Sequence, residues 1–263
     1  MDIIKVIQFN VLAPNWIKSS LYPSQCIEKY FNPSRLEHKV DYIKQHLHDA
    51  DFYALQETQE DENQYLARML KGYTYYAVYH SSDYWREWRS DVFPQKRSGV
   101  AIAVNNSKFD QCQFRCVKLS HYGNSAAIVK CRHISTGRYF QFCSIHLDTT
   151  PRRIKEFQSL LEYLDDIDTI VCGDFNSNIR AMLLPTDLRD ALYELGIDQS
   201  TIPKVDIPAF TNIDHIVIRG DIVPVSGKVH DMGVWKLNSN RYCETVARNG
   251  SDHFSTECEL EII

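Results

Sequence analysis

A buried-strand pattern leads into a polar loop at Ile170-Val171-Cys172-Gly173-Asp174-Phe175-Asn176-Ser177-Asn178. The apolar run predicts a strand, and the glycine and polar residues that follow predict a tight loop at its end. Gly173 allows the backbone to turn where a Cβ atom would clash. If strand geometry continues through Phe175, the side chains of Asp174 and Asn176 point the same way and Phe175 faces the core.

The polar residues of this loop have two interpretations. A carboxylate such as Asp174 can hold a metal ion or orient a water molecule, and the neighbouring amide of Asn176 can donate to a phosphate oxygen. Alternatively, the same residues form an Asx turn that caps the next element. The choice between these depends on whether other strand ends carry matching chemistry.

The composition is that of an ordinary globular protein. The 263 residues are 44% hydrophobic and 24% charged, and they contain no repeat, low-complexity tract or linker, so a single domain over residues 1–263 is expected. No apolar run approaches the roughly 18 residues that a membrane span needs, and the first residues lack the features of a secretory signal. We therefore expect an intracellular protein, cytoplasmic or nuclear, that does not bind a membrane.

Net charge and cysteine content further narrow the functional classes to which the protein can belong. The net charge of −5 argues against a protein that coats nucleic acid through bulk charge, so phosphate binding requires a local basic patch or bound cations. The eight cysteines lack zinc-site spacing, and Cys131, Cys143 and Cys172 lie in strand-like apolar runs. Reduced thiols are the expected state in an intracellular protein.

Periodicity predicts an alternation of helices and strands. Amphipathic spacing predicts helices over residues 32–50, 61–71, 153–164 and 188–195. Alternating or continuous apolar residues predict strands at residues 3–9, 52–56, 73–79, 99–104, 112–119, 125–133, 139–145, 169–172, 212–219, 221–225 and 254–262. Because no helix interrupts the strands between Tyr73 and Ile145, the sheets are expected to be mixed and the fold class to be α+β.

Polar residues stand where several of these strands end. In chain order they are Asn10, Glu57, His146, Asp174, Asn176, Asp214, Asp252 and His253. This combination of acids, amides and histidines fits a phosphodiesterase that uses a divalent cation. Glu57 and Asp252 supply hard oxygen ligands of the kind Mg²⁺ prefers, and Asp174 orients or deprotonates the attacking water. Asn10, Asn176 and His146 contact the phosphate and spread its developing charge.

Seven short motifs run in order from near the first residue to near the last. They are Phe9-Asn10-Val11-Leu12-Ala13, Leu55-Gln56-Glu57, Ser98-Gly99-Val100-Ala101-Ile102, Ser144-Ile145-His146-Leu147-Asp148, Gly173-Asp174-Phe175-Asn176-Ser177, Ile213-Asp214-His215-Ile216 and Ser251-Asp252-His253. Together they resemble the endonuclease/exonuclease/phosphatase superfamily, which includes DNase I-like nucleases. The resemblance implies a four-layer αββα sandwich of two packed mixed sheets.

The resemblance also implies roles for the strand-end residues. Glu57 is then the main metal ligand, with Asn10 nearby and Asp252 assisting, and the implied cofactor is Mg²⁺ or Mn²⁺. Asp174 activates the water, while Asn176 and His146 grip the phosphate. Asp214 pairs with His253 and fixes its ring, because a carboxylate raises the pKa of an imidazole and imidazolium stabilises a phosphorane-like transition state. His215 faces the other way by strand alternation.

The motifs leave the substrate open among several branches of the superfamily. Asn10-Val11-Leu12-Ala13 and Ser144-Ile145-His146-Leu147-Asp148 look most like CCR4-type deadenylases and 2′-phosphodiesterases, so a 3′-exonuclease on single-stranded RNA is the first expectation. The chain departs from that branch at Asp214-His215, where Asp-Tyr is usual. Thr149-Thr150-Pro151-Arg152-Arg153 resembles the tyrosyl-DNA phosphodiesterase pattern, which keeps that activity and other DNA nucleases as alternatives. A sphingomyelinase-type phosphodiesterase and a catalytically silent binding module on the same fold are more distant alternatives.

Substrate contacts are predicted around this constellation. Trp85 and Trp88 lie in an arginine-containing segment that either stacks the bases of a single strand or packs on the sheet below. Arg152 and Arg153 either touch a substrate phosphate or flank the start of a helix. Trp16 either walls the substrate cleft or plugs the edge of a core. The implied partner is single-stranded RNA or DNA, and the sequence indicates no protein partner.

Overall fold

The structure is a computed structural model that describes residues 2–20, 22, 24–31, 35–80, 90–94, 96–120, 123–202, 212–231 and 241–263. The predicted base-stacking residues Trp85 and Trp88 lie outside the described residues.

The described strands and helices follow the predicted alternation. The strands are β1 Ile3–Asn10, β2 Phe52–Gln59, β3 Tyr73–Tyr79, β4 Ser98–Asn105, β5 Phe109–Lys118, β6 Ser125–His133, β7 Tyr139–His146, β8 Asp168–Asp174, β9 Arg189–Asp190, β10 Asp214–Arg219, β11 Ile222–His230 and β12 Ser255–Ile262. The helices are α1 Ser24–Tyr30, α2 Arg35–His46, α3 Glu60–Met69, α4 Arg152–Leu161, α5 Arg180–Leu183, α6 Ala191–Glu194 and α7 Arg241–Asn249, with a 3₁₀ turn at Pro14–Trp16. Among these described helices, none has the length and apolar character that crossing a membrane requires.

The strands form two mixed sheets of six strands each. The first sheet has the order β11-β12-β1-β2-β4-β3, and the second has the order β5-β6-β7-β8-β10-β9. The central pair of each sheet is parallel, β1 with β2 and β7 with β8. The flanking pairs are antiparallel. The expected mixed α+β architecture is confirmed.

One apolar core fills the space between the two sheets. Val6 and Phe52 of the first sheet share a buried cluster with Phe142 and Ile170 of the second. The rings of Phe52 and Phe142 stack across the interface with centroids 4.5 Å apart. Burial of these large side chains on both inner faces holds the sheets together, since burying a Phe or Ile side chain contributes about 1.5–3 kcal/mol.

Helices cover the outer face of each sheet. Side chains alternate along a strand, so Ile7 of β1 points away from the intersheet core and packs with Val40 of α2. On the second sheet, Val171 of β8 packs with Phe157 and Leu160 of α4. The layers are therefore helix, sheet, sheet and helix, which confirms the expected αββα sandwich.

Two motif glycines are required by the close approach of neighbouring strands. A Cβ atom on Gly173 would overlap the carbonyl oxygen of Ile145 on β7, and one on Gly99 would overlap the carbonyl oxygen of Val78 on β3. The prediction that Gly173 turns the chain is wrong, because β8 continues through it to Asp174.

Residues 188–195 do not form the single helix that their periodicity predicts. They divide into the strand β9 and the one-turn helix α6. Asp190 separates the two, because its carboxylate accepts hydrogen bonds from the backbone N–H groups of Leu192 and Tyr193 and so caps α6.

The helices α1 and α7 were not predicted, and a disulfide joins them. Cys26 and Cys243 form this bond with Cα atoms 5.5 Å apart. The expectation of reduced thiols is wrong for this pair. The sequence could not reveal the bond, because 217 positions separate the two cysteines and no spacing rule connects them. The strand cysteines Cys131, Cys143 and Cys172 are buried and free, as expected.

Candidate active site

The ends of the central strands of both sheets meet around a small cavity of about 110 Å³. Its lining consists of Trp16, Glu57, His146, Thr149, Asp174, Asn176 and His253. All but Thr149 are among the residues that the sequence singles out. Of the remaining strand-end residues, Asn10 and Asp214 contact this lining through hydrogen bonds, and Asp252 precedes the lining residue His253 in the chain.

A β-bulge presents Glu57 to the cavity. The register between β2 and β4 shifts between Gln56 and Thr58, so Glu57 is the extra residue on its strand. Its φ angle is +52°, which a glutamate rarely adopts outside a bulge or a strained functional position. The bulge breaks the alternation of β2 and directs the buried carboxylate of Glu57 towards the strand ends of the second sheet.

Asn10 holds two carboxylates close to each other. Its amide nitrogen donates to Glu57 Oε1 at 2.9 Å and to Asp174 Oδ2 at 3.1 Å. Its amide oxygen accepts from the backbone N–H of Leu12, a residue with φ of +50°. The Asn10 side chain thus lies next to Glu57, and its predicted place near the metal stays a prediction.

Asp174 and Asn176 both reach the cavity, but the strand does not continue between them. β8 ends at Asp174, and Asn176 has a φ of +51°, which asparagine tolerates better than most residues. The backbone N–H of Asn176 donates to Asp174 Oδ1 at 2.8 Å, so an Asx turn and a cavity-lining pair coexist at this site. Phe175 between them is fully buried in the core, as predicted.

Asp214 and His253 form a buried pair beside Asp174. His253 Nδ1 lies 2.8 Å from Asp214 Oδ2, and His253 Nε2 lies 3.7 Å from Asp174 Oδ2. Burial disfavours a charged ring, but the carboxylate of Asp214, followed by those of Asp252 and Asp174, outweighs burial and raises the pKa of His253 well above its ordinary value. The geometry therefore favours a protonated ring that donates from Nδ1 to Asp214, while Nε2 lies near Asp174 but beyond hydrogen-bond distance.

The two cavity carboxylates are less acidic than carboxylates in water. Burial raises the pKa of Glu57, and the charge of Asp252 raises it further, against the opposing effects of His146, His253 and Asn10. Burial and then the charge of Asp214 raise the pKa of Asp174. A raised pKa makes Asp174 a stronger base towards a water molecule, and it makes both groups favourable neighbours for a positive charge.

Two buried carboxylate oxygens mark a place for a cation. Among the described residues, Glu57 Oε2 and Asp252 Oδ1 are buried acidic oxygens without a hydrogen-bond partner. The other oxygen of Asp252 accepts from the hydroxyl of Tyr22 at 2.6 Å, which fixes the orientation of the carboxylate. Unsatisfied oxygens on hard ligands fit Mg²⁺ or Mn²⁺, since such ions prefer carboxylates, water and phosphate.

His146 also stands close enough to Glu57 and Asp174 to share a cation with them. Ligand atoms of Glu57, His146 and Asp174 lie within 4.8 Å of one another, and so do those of Asp174, Asp214 and His253. The described residues therefore offer oxygen and nitrogen donors from both sheets at one point.

A second histidine supports His146 from behind. His80 lies edge-on to His146 with ring centroids 6.1 Å apart, and its Nδ1 accepts from the backbone N–H of Ser125 at 3.2 Å. Burial, and then the charge of His146, lowers the pKa of His80 to about 3. His80 is therefore neutral and adds no positive charge to the site.

The structure separates the predicted substrate-binding residues into two groups. Trp16 is half-buried in the cavity wall, where its indole N–H donates to Ser98 Oγ at 3.2 Å and its ring lies 6.1 Å from that of His146. Arg152 and Arg153 do not line the cavity. Arg153 donates to the carbonyl oxygens of Thr149 and Thr150, and so it braces the loop that carries Thr149.

His215 turns away from the cavity, as strand alternation predicts. Its Nδ1 lies 2.8 Å from Asp190 Oδ2, and its Nε2 lies 3.0 Å from the carbonyl oxygen of Ser177. The sequence did not reveal the supporting residues Tyr22, His80 and Thr149. Only Thr149 lay next to a motif, in the pattern that follows His146, whereas the other two carried no signal.

The whole site falls within a region that matches a known family. A sequence model of the endonuclease/exonuclease/phosphatase family matches residues 7–253, from β1 to the histidine of the last motif. No curated protein matches the chain in sequence.

Solved structures share the fold at low sequence identity. D. rerio TDP2 complexed with single-strand DNA product aligns with a TM-score of 0.66 and 18% identity over 99% of this chain and 100% of that chain. The human Nocturnin catalytic domain with bound sulfate aligns with a TM-score of 0.72 and 18% identity over 99% and 94% of the two chains. The Bacteroides thetaiotaomicron mannosyl-6-phosphatase Bt3783 aligns with a TM-score of 0.66 and 20% identity over 98% and 99%. These similarities show the fold alone. The substrate is inferred below from the residues of the site.

Proposed function

The chain belongs to the endonuclease/exonuclease/phosphatase family, and we propose that it is a single-domain hydrolase of phosphodiester bonds that requires a divalent cation. The observation that carries the proposal is the buried, unpartnered oxygen of Glu57 beside Asp174 and His146, together with a second such oxygen on Asp252, whose charge raises the pKa of Glu57. Buried acidic oxygens without partners are costly unless a ligand satisfies them, and a cation with a bound phosphate does so.

Each side chain at the cavity has a task that its position supports. His146, Asn176 and the Nε2 atom of His253 face the space where a phosphate fits and provide donors to its oxygens. Asp174 accepts a proton from the attacking water, for which its raised pKa suits it. The water oxygen then forms the new bond to phosphorus as the bond to the leaving oxygen breaks. Asp214 keeps the ring of His253 oriented and charged.

Glu57 and Asp252 are the residues that would hold the cation. When bound there, a divalent cation neutralises charge on the phosphate and on the leaving oxygen. Asn10 keeps the carboxylates of Glu57 and Asp174 together by donating to both, which limits their mutual repulsion. Trp16 closes one side of the cavity and limits the access of water.

Within this chemistry we propose single-stranded RNA, attacked from its 3′ end, as the substrate. The small cavity and its indole wall suit a terminal nucleotide whose base stacks on Trp16, since aromatic stacking contributes about 1–3 kcal/mol per base. Because the net charge of the chain is negative, its affinity for RNA has to come from local contacts and a bound cation.

A second candidate is the hydrolysis of tyrosyl-DNA linkages. Thr149 lines the cavity, and Arg153 braces the loop of the Thr149-Thr150-Pro151-Arg152-Arg153 pattern. The fold is also that of D. rerio TDP2, whose structure holds a single-strand DNA product. These observations keep a DNA end as the alternative ligand of the same cavity.

The test is cleavage of end-labelled single-stranded RNA, single-stranded DNA and 5′-tyrosyl DNA, each with Mg²⁺ and with EDTA. We expect an RNA ladder that shortens from the 3′ end and that EDTA abolishes. Release of tyrosine from DNA with intact RNA would transfer the proposal to the second candidate. Cleavage that continues in EDTA would contradict the cation requirement, and no cleavage of any of the three would direct the search to small phosphoesters and lipids.

A further inference from the structure

A buried polar network runs between the two sheets directly beneath the site. Gln8 of β1 lies on the same face of the strand as the core residues Ile4 and Val6, and it is fully buried. Its amide nitrogen donates to Gln56 Oε1 at 2.8 Å and to Asp214 Oδ1 at 2.7 Å. A glutamine in this apolar interface is costly unless its hydrogen bonds are made, so its presence requires an explanation.

Neighbouring strands fix the orientation of the Gln8 amide. Thr256 of β12 donates its hydroxyl to Gln8 Oε1 at 2.9 Å, so the oxygen faces β12 and the nitrogen faces Asp214. Gln56 in turn donates to Ser144 Oγ at 3.1 Å, and Ser144 donates to the carbonyl oxygen of Leu55. Each hydrogen bond pairs one donor with one acceptor, so one N–H of Gln8 points to Gln56 Oε1 and the other to Asp214 Oδ1.

Asp214 is the point where this network meets the catalytic histidine. Gln8 occupies Asp214 Oδ1, and His253 Nδ1 occupies Asp214 Oδ2. With both oxygens assigned, the carboxylate cannot rotate about its Cβ–Cγ bond without losing a charge-assisted hydrogen bond. The plane of the carboxylate then fixes the ring of His253, whose Nε2 faces Asp174 at 3.7 Å.

We propose that Gln8 is a positioning residue for catalysis, which acts through Asp214 to hold the His253 ring towards the phosphate. The inference rests on the proposed phosphodiesterase function. Gln8 does not line the cavity, and its hydrogen bonds are made with Gln56, Asp214 and Thr256 rather than with Glu57 or Asp252. Its effect is therefore on the turnover step, which depends on the orientation of the His253 ring, rather than on substrate binding.

The variant Gln8→Met keeps the length of the side chain and removes its donors and acceptor. In turnover of bis(p-nitrophenyl) phosphate with Mg²⁺, kcat should fall about tenfold to a hundredfold, because the loss of a hydrogen bond to a charged group changes a rate by about that factor. KM should change less than about twofold. A direct readout is the low-field proton NMR signal of His253 Nδ1–H, assigned by its loss in His253→Gln. This signal should shift or vanish in Gln8→Met.

A matched control is Gln141→Met on β7. Gln141 is 1% exposed and makes two hydrogen bonds, to the backbone of Tyr163 and Asp165, against three for Gln8, and neither of them involves Asp214. This variant should lose comparable stability while it keeps the wild-type kcat and the wild-type NMR signal.

The double variant Gln8→Met/Asp214→Asn distinguishes an effect of Gln8 that passes through Asp214 from a general effect of Gln8 on the packing of the two sheets. If Gln8 acts through Asp214, Gln8→Met should lower kcat by less than about twofold in the Asp214→Asn background. An equal fall in both backgrounds would overturn the proposal, and so would an unchanged His253 signal in folded Gln8→Met. If the wild-type protein hydrolyses no phosphodiester, the proposed function fails, and the NMR comparison still decides whether Gln8 orients His253.

Discussion

Replacement of His215 by leucine should cost stability in a way that depends on pH. His215 is 2% exposed, and both of its ring nitrogens face acceptors, the carboxylate of Asp190 and the carbonyl of Ser177. Two acceptors require two N–H donors, so the geometry indicates a charged imidazolium. Burial opposes that charge, but the hydrogen bond and the charge of Asp190 outweigh it and raise the pKa of His215.

The magnitude follows from what His215→Leu leaves behind. Removing one partner of a buried ion pair costs about 3–5 kcal/mol. The carboxylate of Asp190 keeps two donors at its other oxygen, the N–H groups of Leu192 at 3.1 Å and Tyr193 at 3.3 Å. The carboxylate is therefore only partly uncompensated, and we expect the lower end of that range, about 3 kcal/mol at pH 6.

The pH dependence has a definite sign because the folded-state pKa of His215 is raised above the ordinary value of 6.5. Stability from this group is fully present below about pH 6.5, where the unfolded chain also binds the proton. It declines as the pH rises through the folded-state pKa, by up to about 1.4 kcal/mol per pH unit. The difference between wild type and His215→Leu should therefore be greatest at acidic pH and shrink at alkaline pH.

Urea denaturation of both proteins from pH 6 to pH 9 measures this difference. An exposed histidine on α2 provides the matched control, since His38→Leu should change stability by less than about 0.5 kcal/mol at every pH. A constant difference for His215→Leu across the range, or a difference that grows with pH, would refute the charged-pair interpretation.

Other expected outcomes concern the cavity and the strands that frame it. Asp174→Asn should lower kcat about 10²- to 10⁴-fold with an unchanged circular dichroism spectrum, because it removes the base that accepts the proton of water; wild-type turnover would reject this role. Tyr22→Phe removes the hydroxyl that holds Asp252 and should weaken Mn²⁺ binding about tenfold in a calorimetric titration; equal affinity would show that Tyr22 does not orient this carboxylate. Gly99→Ala places a Cβ against the carbonyl of Val78 and should cost about 2–3 kcal/mol in thermal unfolding; an unchanged melting temperature would contradict the close packing of β3 and β4.

Local periodicity was sufficient to predict most of the fold. β6 begins at Ser125 and ends at His133, as predicted, because alternation along a two-faced strand is a local signal. The two sheets and four layers came from the order of the motifs rather than from any single element. Helix α1 was missed because it has only 7 residues and carries few apolar positions.

Contacts between distant residues could not be predicted in the same way. The disulfide between Cys26 and Cys243 and the hydrogen bond from Tyr22 to Asp252 join residues more than 200 positions apart. The left-handed backbone at Glu57 arises from a bulge in the register of β2 with β4, and sequence alternation carries no sign of it. The strand ends were predictable as a set of residues, but their hydrogen-bond partners were not.

The most direct test of the proposed cation site is Mn²⁺ binding, followed by electron paramagnetic resonance, in the wild-type protein and in Glu57→Gln. Asp61→Asn is the control, because Asp61 is an exposed carboxylate at the start of α3 that pairs with Lys96. We predict a bound-Mn²⁺ signal in wild type and in Asp61→Asn that disappears in folded Glu57→Gln. Equal Mn²⁺ binding by the wild type and Glu57→Gln would contradict the assignment of the buried carboxylate as the ligand on which hydrolysis depends.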